Sequence, residues 1–204
     1  MRARVIIIVL ILGIVIVSGS LVSALARVHL FGNNQGYRPE QPIEYSHRVH
    51  AGELAIPCLY CHPGAERSRH AGIPAPSMCM NCHRYVTATL GAIREEERLA
   101  EEEGRSPRLL VSPELEKLFN ADEQNIVWAR VHRLPDFAYF DHRPHVAADL
   151  ACQRCHGPIE SMDRVRQFSS LSMGWCVDCH RESSGTRLAG KPVEPSLDCV
   201  TCHF

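Results

Sequence analysis

The ten cysteines of this chain fall into five Cys-x-x-Cys-His motifs, with none left over. At this spacing two thiols can form thioethers to the edge of a porphyrin while the next residue, a histidine, ligates its iron. The pattern is therefore the attachment site of c-type haem, and we predict five covalent haem c groups. The covalent residues are Cys58, Cys61, Cys79, Cys82, Cys152, Cys155, Cys176, Cys179, Cys199 and Cys202, and the proximal iron ligands are His62, His83, His156, His180 and His203.

Structural zinc sites and disulfide frameworks also use paired cysteines. A zinc site is often built from two Cys-x-x-Cys pairs, but it does not require a histidine directly after every second cysteine. A disulfide framework predicts no histidines at all. Five copies of the complete motif therefore favour haem over both alternatives.

The composition outside the motifs indicates a small apolar core. The chain has 204 residues, a formal charge of −1, and only six Phe, five Tyr and two Trp. Such a charge gives no basic field for nucleic acid, which we exclude as a partner. Porphyrins would supply the missing apolar bulk, as metals and cross-links do in other small scaffolds. We expect a mostly irregular fold with short α-helices, organised as a multihaem cytochrome c around five covalent haems, plus one N-terminal transmembrane helix.

The N-terminal segment combines a positive flank with an apolar run. Arg2 and Arg4 precede apolar and small residues that continue from Val5 to Ala26, and about 22 such residues are long enough to span a bilayer as a helix. Residues 24–26 also fit a signal-peptide cleavage site, but the segment is part of the chain, and we interpret it as a retained single-pass anchor in the inner (cytoplasmic) membrane. The arginines are expected on the cytoplasmic side, which puts the haem domain on the periplasmic or extracellular side.

The rest of the sequence contains an internal duplication. An aromatic-x-His-x-x-His box begins at Tyr45 ahead of the first two motifs, and a second begins at Phe140 ahead of the remaining three. Repeats of this kind indicate repeated structural units packed on one another. We predict an anchor at 1–26, an irregular tether at 27–44, a dihaem repeat at 45–87, a charged helical spacer at 88–137, and a second repeat with three haems at 138–204.

Seven histidines lie outside the motifs, enough to give five irons a second axial ligand. The two histidines of a box are three residues apart, so on a helix they point roughly the same way and should serve two different haems. A methionine ligand would raise the potential of a haem relative to histidine, although methionine can equally fill packing gaps. The distal candidates are His47, His50, His142, His145, His70, His132, Met173 and Met162, whereas His29 fits an ordinary surface histidine.

The two boxes ahead of Cys-x-x-Cys-His sites resemble the class III cytochromes of the tetrahaem and trihaem kind. In that family the first box histidine caps the nearest haem and the second caps a later one. The resemblance implies four ligand pairs, and it leaves the distal ligand of the fifth haem open among His70, His132, Met162 and Met173. The implied pairs are His47 with His62, His50 with His83, His142 with His156, and His145 with His180.

A second resemblance covers nearly the whole chain from residue 45. The anchor and five sites are accompanied by Ser-Arg-His-Ala-Gly-Ile-Pro at 68–74, Cys-Met-Asn-Cys-His at 79–83, Leu-Pro-Asp-Phe at 134–137 and Met-Gly-Trp-Cys at 173–176. This combination resembles the pentahaem c-type cytochrome of bacterial alternative complex III. It implies a quinol:electron-acceptor oxidoreductase with iron–sulfur and quinol-binding membrane subunits, which passes electrons to a soluble or tethered cytochrome c or copper protein.

We therefore expect an electron-transfer subunit of a respiratory or photosynthetic membrane complex, without enzymatic activity of its own. Two alternatives stay open. One is a multihaem reductase of a small substrate, which would need an iron with a vacant face. The other is a haem partner that delivers quinol electrons to a terminal reductase, with electrons flowing the other way.

Overall fold

The computed structural model describes residues 2–27, 34–121, 126–188 and 190–203. It begins with a long helix, α1 (Arg2–Arg27). The segment Ala3–Ser23 of this helix is long and apolar enough to cross a membrane, and none of it is buried against the described remainder of the protein. The helix is therefore compatible with the predicted membrane anchor.

Short helices joined by irregular segments make up most of the described remainder, as the sequence predicts. Each Cys-x-x-Cys-His motif lies on one of these helices or at its end. The helices are a π-helical turn (Arg48–Glu53), α2 (Cys58–Cys61), α3 (Gly64–Arg67), α4 (Pro76–His83), α5 (Leu90–Glu102), α6 (Pro113–Phe119), α7 (His142–Ala147), α8 (Gln153–His156), a 3-10 helix (Ile159–Ser161), α9 (Met173–Ser183) and α10 (Cys199–Cys202).

Local sequence signals explain where the motif helices begin. The second motif lies on α4, which has Pro76 in its first turn, where the missing proline N–H costs no helical hydrogen bond. The fourth motif lies on α9, where the Trp175 N–H donates to the Ser172 hydroxyl at 3.3 Å. This serine cap satisfies one of the unpaired amides of the first turn, so both motif helices are started by residues next to the motif.

The region between the repeats is helical, as the predicted charged helical spacer requires, and it contains α5 and α6. The N–H of Ala92 donates to the Thr89 hydroxyl at 3.3 Å and caps α5. Along its exposed face Arg98 pairs with Glu95 at 2.7 Å and with Glu102 at 2.5 Å. Gly104 follows the helix with a φ of 64°, a left-handed conformation that suits the end of a helix.

One element was not predicted from the sequence. Strands β1 (Thr186–Leu188) and β2 (Lys191–Val193) form an antiparallel hairpin between the fourth and fifth motifs. Gly190 has a φ of 78°, and a positive φ of this kind is needed in the tight turns of such hairpins. The strands are too short for an alternation of apolar and polar residues to reveal them.

The two repeats pack against each other crosswise. The π-helical turn of the first repeat packs on the 3-10 helix of the second, and the Arg48 N–H donates to the Met162 carbonyl at 3.0 Å. Conversely, α7 of the second repeat packs on α3 of the first, and the His142 N–H donates to the Arg69 carbonyl at 3.3 Å. Each box is therefore braced by the segment that follows a motif of the other repeat.

The apolar core made by protein side chains is small. Among the described residues, the buried hydrophobic side chains are Ala65, Ala100, Leu118 and Met162. Since burial of apolar surface is the main force that favours folding, this core leaves much of the stability to other sources. The finding agrees with the expectation that covalently bound groups supply apolar bulk.

Candidate haem sites

The structure places four motif histidines opposite the four box histidines, one pair at each of the first four sites. The motif sites are numbered in chain order: first (58–62), second (79–83), third (152–156), fourth (176–180) and fifth (199–203). The rings of the first and third pairs are nearly parallel, with interplanar angles of 6° and 10°. Their centroids are separated by 6.5 Å for His47–His62, 6.0 Å for His50–His83, 6.4 Å for His142–His156 and 6.1 Å for His145–His180.

These separations fit two axial ligands on opposite sides of one metal ion. Two imidazoles that each bind a metal through one nitrogen at about 2.0 Å have ring centroids about 6 Å apart. Within the described part of the chain, no three His, Cys, Asp or Glu side chains form a group that could hold a metal ion. Paired ligands with two cysteines beside them match a porphyrin iron better than a structural zinc ion, which takes four ligands.

Backbone carbonyls orient most of these imidazoles. The Nδ1–H of His62 donates to the Gly72 carbonyl at 2.7 Å, and that of His180 donates to the Ser196 carbonyl at 2.7 Å. Such bonds fix the tautomer and leave Nε2 as the nitrogen that can bind a metal. The same arrangement is present for His50 on Ser46, His83 on Val86, His142 on Arg69, His145 on Asp141 and His203 on Phe137.

The aromatic residue of each box lies between its two histidines. Tyr45 is edge-on to His47 with centroids 4.9 Å apart, and stacks on His50 at 4.4 Å. Phe140 is edge-on to His142 at 4.9 Å and lies 4.7 Å from His145. The sequence contained the signal for this role, because both boxes begin with an aromatic residue. The ring separates two ligands on neighbouring turns and holds each at a fixed orientation.

Burial keeps several of these histidines neutral. Desolvation, followed by the nearby His62 and His50, lowers the pKa of His47 to about 4. Desolvation and the surrounding histidines, with His132 foremost, lower the pKa of His156 to about 3. Burial also lowers the pKa of His145. A neutral imidazole is the form that ligates metals, so these environments suit the ligand role.

The ten cysteines of the motifs are intermediate or exposed in accessibility. Burial raises the pKa of the Cys61, Cys79, Cys155 and Cys176 thiols, and neighbouring thiols of other motifs add to the increase for most of them. The motif cysteines precede the paired histidines directly in sequence, an arrangement that suits covalent attachment of a group held between those pairs.

His132 occupies a position that the sequence did not reveal. Its Nε2 lies 3.2 Å from Nδ1 of His156, and the two rings meet edge to face with centroids 4.5 Å apart. Burial lowers the pKa of His132, so its neutral Nε2 can accept the His156 N–H. The structure thus places His132 behind the motif histidine of the third site, in contact with its Nδ1.

The fifth site differs from the other four. The His203 Nδ1–H donates to the Phe137 carbonyl at 3.2 Å, and the phenyl ring of Phe137 lies 5.8 Å from the imidazole. Within the described ranges no second imidazole is paired with His203. Met173, at the start of α9, is 66% exposed.

The remaining distal candidates are not brought next to His203 by any described contact. Met162 is buried, and its carbonyl accepts the Arg48 N–H at the crosswise contact between repeats. His70 is exposed in the segment that follows α3. His29 lies outside the described residues.

Comparison with known proteins points to the same class. Residues 138–204 match the family described as cytochrome c7 and related cytochrome c. Over 175 aligned residues the chain is 27% identical to the multiheme cytochrome c subunit of menaquinone reductase from Nitratidesulfovibrio vulgaris, and the match covers 80% of this chain and 68% of that protein. The C-terminal third of the chain is thus similar to cytochrome c7, and most of the chain is similar to a multihaem cytochrome c subunit, in agreement with the motifs and the paired histidines.

Proposed function

We propose that this chain is the electron-transfer subunit of a membrane quinol oxidoreductase and carries electrons along five c-type haems. The observation that carries the proposal is the set of four facing histidine pairs. When bound at these sites, c-type haem supplies reversible one-electron transfer at its iron. Two strong axial ligands leave no face for a small substrate, which favours electron transfer over catalysis.

The protein contributes orientation and a dry environment. Carbonyl acceptors such as Gly72 and Ser196 hold the ligand rings in place, so little rearrangement is needed when the charge at a site changes. The box histidines are partly buried, which limits the contact of their sites with water. In this role His47, His50, His142 and His145 are the distal ligands, and the five motif histidines are the proximal ones.

The partners follow from the anchor and from the resemblance to the pentahaem c-type cytochrome of alternative complex III. In this proposal α1 fixes the chain in the cytoplasmic membrane beside iron–sulfur and quinol-binding subunits, with the haem domain on the periplasmic or extracellular side. Electrons leave to a soluble or tethered cytochrome c or copper protein. The similarity to one component of a menaquinone reductase supports a quinone-linked membrane complex.

Two alternative functions are each favoured by one observation. The name of the relative, menaquinone reductase, favours the reverse direction, in which electrons pass from the haems toward quinone. The absence of a paired imidazole at His203, among the described residues, favours a reductase that binds a small substrate at the fifth iron. Capping of that iron by Met173 would instead complete a set of six-coordinate sites.

Haem content and carbon monoxide binding test the proposal together. A pyridine haemochrome assay on a weighed sample of the purified chain should return five haems, and a value of four or fewer contradicts it. The fully reduced protein should bind no carbon monoxide, because a six-coordinate iron has no free position. Stoichiometric binding at one haem, with a high-spin signal in the oxidised protein, would favour the reductase.

Replacement of Met173 by Leu then tests the fifth site, since new carbon monoxide binding is expected only if the sulfur of Met173 is a ligand.

A further inference from the structure

We propose that the five sites form a linear path in the order second, first, third, fourth, fifth, in which the first and third sites form the junction between the repeats. The inference rests on the proposed function, because it requires a haem at each site. It assigns the second and fifth sites to the two ends, where external partners exchange electrons. With haem bound at the sites, each hop would move one electron from one iron to its neighbour, so that one iron is oxidised and the other reduced, with no proton or bond transferred.

Within each repeat, the box joins two sites. His47 faces the first site and His50 faces the second, and Tyr45 contacts both rings. The first and second motifs also touch directly, since the Asn81 amide donates to the Tyr60 hydroxyl at 3.3 Å. One box therefore holds two irons on neighbouring turns.

The second repeat follows the same rule. His142 faces the third site and His145 faces the fourth, with Phe140 in contact with both rings. The two sites thus adjoin in the same way as the first and second. Adjacency within each repeat is set by three residues of one box.

Between the repeats, the first and third sites are the neighbours. The His142 Nδ1–H, at the third site, donates at 2.7 Å to the carbonyl of Arg69 in the first repeat. The helical turn that follows His47 packs on the 3-10 helix that follows the third motif. Both crosswise contacts therefore converge on this pair of sites.

The fifth site attaches beyond the fourth. The His180 Nδ1–H donates to the carbonyl of Ser196, three residues before the fifth motif. The fifth motif is also held by the segment before the second box, where the Tyr139 N–H donates to the Cys202 carbonyl at 2.7 Å. Both contacts tie the fifth site to the second repeat.

Pairwise redox interactions between haems provide the test. In an NMR-monitored redox titration of the full chain in detergent, oxidation of one haem shifts the potential of another by an amount that falls with distance. The four consecutive pairs should show the largest interactions, several-fold above those of pairs such as second–fourth or first–fifth. A dominant second–fourth or first–fourth interaction would overturn the order.

A variant at the junction sharpens the test. A Cβ added at Gly52 would collide with the Glu160 carbonyl of the other repeat, whereas one added at Gly91 in α5 meets nothing within 4 Å. Gly52→Ala should lower the first–third interaction and leave first–second and third–fourth unchanged, and Gly91→Ala should change none. A folded Gly52→Ala protein with an unaltered first–third interaction would contradict the junction. If the variant does not fold, the wild-type interactions decide alone, and a count below five haems would overturn the proposed function itself.

Discussion

The two repeats place their candidate ligand histidines alike but give them different hydrogen-bond partners. The first and third pairs have nearly the same separation, 6.5 and 6.4 Å, and the same near-parallel rings. The proximal His62 donates to a backbone carbonyl, whereas its counterpart His156 contacts the imidazole of His132. For the box histidines the carbonyl acceptor is found in the second repeat instead. His142 donates to the Arg69 carbonyl, whereas Nδ1 of His47 is buried without a hydrogen-bond partner.

This difference shows which features of a duplicated site the box and motif determine. Ligand identity, spacing and the aromatic separator are the same in both repeats, because they lie within the repeated sequence. The hydrogen bonds to Nδ1 come from segments outside it, such as the region of His132. Since hydrogen bonds to axial ligands tune the potential of a haem, two sites of equal geometry are expected to have unequal potentials.

Loss of the third site should have the largest effect. In the variant with Cys152→Ala and Cys155→Ala the third haem is lost, and with it the apolar bulk between the two repeats. Since the protein's own core is small, we expect a loss of unfolding free energy well above the ~3 kcal/mol of most single substitutions. Thermal denaturation followed by circular dichroism measures it.

The matched variant with Cys199→Ala and Cys202→Ala removes the fifth site, which has no counterpart in the first repeat. Its haem lies at one end of the proposed path, so the other four sites should keep their low-spin spectra and most of their stability. An equal drop in melting temperature for both variants would contradict the central position of the third site.

Replacement of His132 should have an intermediate effect, confined to the reduction potential of the third haem. In His132→Leu the His156 Nδ1–H loses its acceptor, so His156 becomes a weaker donor to ferric iron and the potential of the third haem rises. A tenfold change in the relative stability of the two oxidation states corresponds to about 59 mV for one electron, and we expect a shift up to that size. Spectroelectrochemistry together with low-temperature EPR of the oxidised protein measures it.

The exposed His70 offers a control, because His70→Leu removes an imidazole that is not paired with any described ring. The five potentials should then be unchanged. If His132 were instead a ligand of iron, His132→Leu would produce a high-spin haem, and that result would reject its role behind His156. The difference in hydrogen bonding between the two repeats would then be supported only by His47 and His142.

The sequence indicates the candidate ligands more directly than it indicates their surroundings. The motifs and the His-x-x-His boxes are local patterns, and the four facing pairs in the structure are those that the resemblance to class III cytochromes implies. The position of His132 depends on a fold that brings residues 24 apart into contact. The crosswise packing of the repeats likewise joins residues that are 73 apart (Arg69 and His142) and 114 apart (Arg48 and Met162), and no local pattern encodes such contacts.

The helices of the spacer were predictable for a different reason. Their caps and charge pairs are local, and Thr89, Ser112 and the Glu–Arg pairs of α5 act where the sequence places them. The short hairpin β1–β2 lacks comparable signals beyond Gly190. Prediction therefore succeeded where neighbours in sequence make the stabilising contacts.

The smallest effect is expected in the spacer, which belongs to neither repeat. Glu96 pairs with Arg105 beyond the end of α5 and accepts the Arg108 N–H at 2.8 Å. The Arg105 side chain and then the Arg108 amide lower the pKa of Glu96 from 4.5 to about 2. Because the folded pKa is the lower one, this stabilisation is complete above about pH 4.5 and is lost as the pH falls toward 2.

Glu96→Gln should remove the pH dependence of this stabilisation without affecting the haem sites. Amide hydrogen exchange should show weaker protection at the C-terminal end of α5 above pH 4.5, and the difference from wild type should vanish toward pH 2. The exposed Glu97 provides the matched control, and Glu97→Gln should leave protection unchanged. Changed haem spectra in Glu96→Gln would mean that the spacer helps to hold the haem sites in place. The spacer would then be a third structural unit beside the two repeats.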